Sequence, residues 1–210
     1  RMSRGLGDVY KRQGERGGEI CEKLGICTAK EYKLLSIMAE KKVNAVSSTS
    51  AGRLFDAASA VLGIRRSSTF EGEASMALQF AAEKFSREPF SIYEPMEKLT
   101  AEKEGRIMLC TQALVKRLCD GVQNGEDKNR LAYEFHSLLA DMTVQACRTI
   151  SERTGVKVCA LSGGVFQNKL LLKMVKCRLE KMGLRVLIHS LVPANDGGIA
   201  LGQAFYLNEE

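Results

Sequence analysis

Three short stretches of this 210-residue chain set chemically capable side chains beside backbone that carries no β-carbon. In LSGGVFQN, Leu161 to Asn168, an apolar run ends at Ser162, then come Gly163 and Gly164, then a helical pattern. Glycine there allows positive φ and the close approach of a ligand. The start of the next helix offers free N–H groups and the positive end of a dipole, a place for a phosphorylated ligand. Asn168 can donate and accept at once, which suits a hydroxyl or a base edge. The plainer alternative is a tight strand-to-helix turn with Asn168 as its cap.

In VPANDGGIALGQA, Asn195 and Asp196 stand just past a strand-like run and ahead of two glycines and a helix. A carboxylate there could cap the helix, bind a divalent cation or hold a nucleophile. A cap alone requires neither the second glycine nor the preceding Asn. One carboxylate is still not a metal site, since enzyme metals take three or more protein ligands and the chain has no HxxxH or HExxH. In SSTSAGRLFDAASAVLG, Asp56 lies one helical turn beyond Gly52 on the same face, where it could accept hydrogen bonds from a ribose diol or serve as an ordinary surface carboxylate. The only histidines are His136 and His189, and a packed, satisfied ring is expected at each.

These residues need elements to position them. Helical patterns cover residues 18–42, a run from about Ala51 to the stop at Gly63, and a run that STFEGEASMALQFAAEKF starts, with Ser or Thr as candidate caps and Glu71 and Glu73 in its first turn. SREPFSIYEP, residues 86–95, reads as a loop. A helix is predicted from about Thr100 to Asp120. The longest is predicted from Arg130 to Arg153, with Leu131, Phe135, Leu138, Leu139, Met142, Ala146 and Ile150 as its buried stripe. After Gly155 the pattern changes to strand Lys157–Leu161, helix Asn168–Met182, strand Arg185–His189 and helix Ile199–Leu207. That order predicts an α/β fold with parallel strands and places both glycine-rich loops at the carboxyl edge of the sheet, where ligands of open α/β sheets collect.

Composition excludes some classes. The chain is 45% hydrophobic and 27% charged, and no apolar run reaches membrane-spanning length, so no membrane association is expected. Half of the net charge of +6 lies in residues 1–13, RMSRGLGDVYKRQ, which resemble vector sequence and are set aside as a non-native leader, leaving residues 14–210 for the fold. The remaining charge is scattered among acidic residues and reads as solvated surface, with no stripe for nucleic acid. Seven cysteines without a CxxC pair or disulfide rhythm read as small buried or half-buried side chains of a reducing, cytoplasmic compartment.

Five stretches in one order, SSTSAGRLFDAASAVLG, STFEGEASMAL, EFHSLLADM, LSGGVFQNKLLL and VPANDGGIALGQA, resemble the HypF family of carbamoyltransferases of nickel–iron hydrogenase maturation. The resemblance covers about residues 18–208 and is to the last part of that protein, a TsaD-like domain related to actin-like ATPases. It implies an actin-like (ASKHA) lobe, helix-rich with a small, mostly parallel sheet, as the incomplete portion of a two-lobe domain. It implies transfer of a carbamoyl group from carbamoyl-adenylate, made from carbamoyl phosphate and ATP, to the C-terminal cysteine of HypE. By motif, Asp56 resembles the aspartate that contacts the nucleotide ribose. Gly163, Gly164 and Asn168 resemble the adenosine-side residues, Gly72 is implied to line the same cleft, Gly52 lets a ligand come close beside Asp56, and Asp196 resembles a ligand of a divalent metal, zinc or iron. These stretches are expected to converge on one adenylate cleft. The family's HxxxH histidines and its adenylating domain have no counterpart here, so the chain alone is expected neither to activate carbamate nor to hold the metal tightly. A TsaD-type tRNA threonylcarbamoyltransferase and a non-catalytic actin-like nucleotide-binding or docking module stand as alternatives.

Overall fold

The computed structural model describes residues 17–46, 48–85 and 100–207. The leader at 1–13 and the loop expected at 86–95 lie outside the described residues. The chain divides into two compact units, residues 1–93 with 110–138, and residues 94–109 with 139–210.

The first unit is helical. Residues 17–23 form α1 and Ala29–Glu40 form α2, so the single helix expected over 18–42 is two. The break has a local cause that the sequence carries. Thr28 and Glu31 make a reciprocal capping box, with the Thr28 N–H donating to Glu31 Oε2 at 2.8 Å and the Glu31 N–H to Thr28 Oγ1 at 3.2 Å, and that starts a new helix. Helix α3, Ala51–Val61, ends as predicted at Gly63, whose φ of +65° lets its N–H reach the Ala60 carbonyl while the Ile64 N–H reaches that of Ser59. Helix α4, Glu73–Phe85, is anchored at its start by Glu73, which accepts from the Thr69 N–H at 2.6 Å and pairs with Arg65 at 2.7 Å.

Helices α5, Thr111–Gln123, and α6, Lys128–Thr154, complete this unit, α6 contributing its first residues. Leu131 through Leu138 of α6 are all buried, polar residues included. Phe55 meets Phe135 edge-on at 5.0 Å in a core shared with Leu62, Leu78, Leu114 and Leu118, each worth about 1.5–3 kcal/mol of burial. Arg117 ties α5 to the start of α6 through Glu126 at 2.7 Å and Glu134 at 2.8 Å.

The second unit contains the one element type that was misjudged. The helix predicted from Thr100 is instead an antiparallel hairpin, β1 (Thr100–Lys103) and β2 (Arg106–Leu109), and helix resumes only at Thr111. Lys103 pairs with Arg106 around Glu104 and Gly105, both at positive φ (52° and 72°), the two-residue turn that matches strand twist. The Glu and Lys of TAEKEG favour helix intrinsically, yet the segment pairs as a hairpin around its two-residue turn, and Arg153 of α6 adds an exposed bidentate pair to Glu102 at 3.0 and 2.6 Å. The long helix stands as expected except at its end, where Ile150 is 50% exposed and leaves the predicted stripe.

Beyond Gly155 the order is β3 (Val158–Leu161), a 3-10 turn (Gly164–Gln167), α7 (Lys169–Lys181), β4 (Arg185–Ile188), a second 3-10 turn (Asp196–Gly198) and α8 (Ile199–Leu207). Strands β3 and β4 pair in parallel, Val158 with Arg185 through Leu161 with Ile188, which is the predicted β–α–β crossover. Helix α7 buries Leu170, Leu171, Met174, Val175 and Leu179. Arg178, on the same side of α7 as Met174 and Val175, reaches Asp141 of α6 at 2.8 Å. Among the described residues no helix is long and apolar enough to cross a membrane.

Candidate functional site

The parallel pairing of β3 and β4 sends both glycine-bearing loops off the same sheet edge. Gly163 has φ +100° and ψ 156°, a conformation open essentially to glycine, and a β-carbon built there meets nothing within 4 Å. A β-carbon on Gly164 would lie 3.8 Å from the Asn195 β-carbon, so the two loops touch. His189, just past β4, places Nε2 2.8 Å from the Ser162 hydroxyl, just past β3. Both side chains are exposed. A packed histidine was expected at 189, and the strand end instead projects the ring outward. Nothing in a linear pattern marks that partnership, because it exists only once the strands are in register.

Both asparagines serve as caps. Asn168 Oδ1 accepts from the Leu171 N–H at 2.9 Å at the start of α7. Asn195 Oδ1 accepts from the Gly197 N–H at 3.1 Å. The plainer reading of Asn168 is thus realised, and any ligand role is additional to it. The second glycine after Asp196 also has a local reason. A β-carbon on Gly198 would come 3.0 Å from the Pro193 carbonyl oxygen and 2.9 Å from Val192 Cγ1, so the chain folds back too tightly there for any side chain. Asp196 is exposed at the head of its turn.

The remaining predicted residues lie in the first unit. Asp56 is half-buried on α3, with Oδ2 3.2 Å from Arg53 and Oδ1 at 3.5 Å from the Ser75 hydroxyl of α4. Burial pushes its carboxyl above the usual range, and Arg53 and Ser75 pull it back. Gly72, at φ +83° just ahead of α4, would place a β-carbon in open space, and Gly52 would place one 3.7 Å from the Ser50 hydroxyl. His136 is a core residue as expected. It is fully buried, its Nδ1–H donates to the Ala132 carbonyl at 2.7 Å, and burial pushes it down to about 4. A surface hollow of about 380 Å³ lies elsewhere, among Arg148, Ser151, Glu152, Lys157, Met182 and Leu184. Lys157 and Leu184 precede β3 and β4, which puts that hollow at the amino ends of the strands, away from the glycine loops.

The family described as "carbamoyltransferase, Kae1-like domain, second subdomain" matches residues 7–203, a span that reaches into the leader set aside above. The chain belongs to that family. Among HypF relatives, it is 32% identical over 198 residues to a probable carbamoyltransferase HypF of Methanocaldococcus jannaschii, covering 94% of this chain and 25% of that protein. It superposes on a crystal structure of full-length HypF in a phosphate- and nucleotide-bound form with a TM-score of 0.82 at 28% identity, over 98% of this chain and 26% of that one. A tRNA N6-adenosine threonylcarbamoyltransferase of Francisella philomiragia is 26% identical over 157 residues, 74% of this chain and 45% of that protein. The chain thus spans about a quarter of the length of these two HypF proteins. The helix-rich α/β architecture with small sheets is that of the HypF Kae1-like domain, of actin-like type.

Among the described residues of this HypF-family chain, no three His, Cys, Asp or Glu side chains gather to hold a metal ion. Asp196 is a lone carboxylate and does not amount to a metal centre by itself.

Proposed function

We propose that this chain is the nucleotide-side and acceptor-side part of a HypF-type carbamoyltransferase, working in hydrogenase maturation in the cytoplasm. The donor is carbamoyl-adenylate, formed elsewhere in the full protein from carbamoyl phosphate and ATP. The acceptor is the C-terminal cysteine of HypE. The thiolate attacks the carbamoyl carbon, a C–S bond forms, the C–O bond to the adenylate phosphate breaks, and AMP departs with the electron pair. Neither nucleic acid nor membrane takes part.

The observation that carries this reading is the meeting of the Gly163–Gly164 and Asn195–Asp196 loops at one edge of a parallel strand pair, in a chain of this family. Bare backbone at Gly163 and Gly164 lets a flat adenosine approach, and the capped start of α7 presents its N–H groups beside it. Asn168 completes the adenosine side. Asp56 is assigned to the ribose diol, from which its carboxylate would accept hydrogen bonds, with Gly52 and Gly72 assigned to the same ligand. Asp196 is assigned as one ligand among several to a divalent ion, zinc or iron, whose other ligands lie outside this chain.

Two measurements test the proposal. Calorimetric titration of the chain with AMP should give binding that Asp56→Asn and Gly164→Val each weaken about tenfold, a change of roughly 1.4 kcal/mol. Radiolabelled carbamoyl phosphate with ATP, HypE and the remaining parts of a HypF protein in trans should label the HypE C-terminal cysteine only when this chain is present. Absence of label with correctly folded chain would sink the assignment.

A further inference from the structure

Seven cysteines are spread through the chain, and two pairs of them interact, Cys21 with Cys27 and Cys147 with Cys159. Cys147 of α6 and Cys159 of β3 bring their sulfurs to 3.7 Å, and both side chains are half-buried. They come from different elements of the same unit, a helix and the strand that leads into the Ser162–Gly163–Gly164 loop. Sulfurs this close must still approach to about 2.05 Å, the length of a disulfide bond. Half-burial leaves them open to a small reagent, whereas Cys21 and Cys119 are closed off in the core.

We propose that Cys147 and Cys159 are a dithiol modification site that takes a low-molecular-weight disulfide as its co-substrate and closes to an intramolecular disulfide. The proposal is independent of the carbamoyl-transfer reading. The Cys159 thiol loses its proton and attacks one sulfur of the small disulfide, forming a mixed disulfide and releasing one small thiolate, which takes up that proton. Cys147 then attacks the Cys159 sulfur, the second small thiolate leaves, and the Cys147 proton goes to it. The protein dithiol gives up two electrons and two protons, and the small disulfide becomes two thiols. Burial, and then the neighbouring Cys159, push the Cys147 thiol up to about 11, so the second, resolving step waits on loss of that proton and is slow at neutral pH. Because Cys159 pairs with Val186 and stands three residues before Ser162, the bond ties the strand that carries the glycine loop to α6.

The test is incubation of the native, intact chain in graded ratios of glutathione disulfide to glutathione, followed by N-ethylmaleimide trapping and peptide mapping. The expected result is a Cys147–Cys159 linked peptide, two hydrogens lighter than the pair of reduced peptides and reopened by dithiothreitol. It should appear at ratios where Cys110 and Cys177 remain free or carry only glutathione. Cys147→Ser should instead trap glutathione on Cys159. The proposal is overturned if the wild-type chain shows Cys147 and Cys159 alkylated at every ratio that modifies the other half-buried cysteines. It is equally overturned if either sulfur links preferentially to a different cysteine. Neither outcome depends on a variant folding, since the wild-type map alone decides it.

Discussion

Ser162 and His189 are 27 residues apart in the chain and 2.8 Å apart in space, each one step beyond the end of a parallel strand. The bond therefore clasps the two loop stems at the edge where the glycines lie. Exposed neutral hydrogen bonds contribute about 0.5–1.5 kcal/mol net. His189→Ala should accordingly speed amide hydrogen exchange at Ser162 to Gly164 about threefold, and Ser162→Ala should do the same around His189. Unchanged exchange in both variants would show that the clasp does not restrain the loops.

Gly163 and Gly164 should respond unequally to alanine. At Gly163 the cost is backbone strain alone, about 1–3 kcal/mol, because its φ and ψ lie where L-residues rarely go and no atom stands near the new β-carbon. At Gly164 the added methyl meets only an ordinary contact with Asn195, so Gly164→Ala should change stability by less than about 0.5 kcal/mol. Urea denaturation of the two variants checks the contrast. Equal losses would mean the loop geometry is misassigned.

His136 makes stability depend on pH. Its folded value, lowered by burial from 6.5 to about 4 with Glu83 and the Ala132 carbonyl acting weakly the other way, lies below the unfolded one. The unfolded chain binds the proton first, so the stability present above pH 6.5 falls as pH drops toward 4, by roughly 3 kcal/mol for this group. His136→Leu should flatten the slope in that window whatever it does to absolute stability. Proton NMR of the His136 ring supplies a second readout, and a midpoint near 6.5 in the folded protein would refute the account.

Arg178 and Asp141 are nearly buried, with side chains 13% and 17% exposed. Arg178→Met should cost about 3 kcal/mol, chiefly by leaving the Asp141 carboxylate desolvated and alone, and adding Asp141→Leu should recover most of it. Burial raises the Asp141 carboxyl above its ordinary 3.8, while Arg178 lowers it. For a carboxyl raised in the folded state the penalty is full above that folded value and is relieved as pH falls through it. The deficit of the single variant should therefore shrink on acidification toward 3.8. Thermal melts across that range decide it, and a deficit independent of pH would assign the loss to packing.

The sequence alone was enough for the β–α–β–turn–α order after Gly155, the stop at Gly63 and the core place of His136, because each follows from local periodicity or a backbone conformation that only certain residues adopt. The Thr28–Glu31 box was legible too, being a four-residue signal, though the helical pattern of 18–42 overrode it. The hairpin at Thr100–Leu109 was not legible. Its residues prefer helix, and an ion pair to Arg153, 51 residues away, supports the other choice. The same holds for the Ser162–His189 clasp, the Cys147–Cys159 contact and the crowding that demands Gly198. Types and spacing along the chain set what each segment can do by itself. Which side chains then meet depends on strand register and helix packing, which are properties of the whole core and are written in no single stretch.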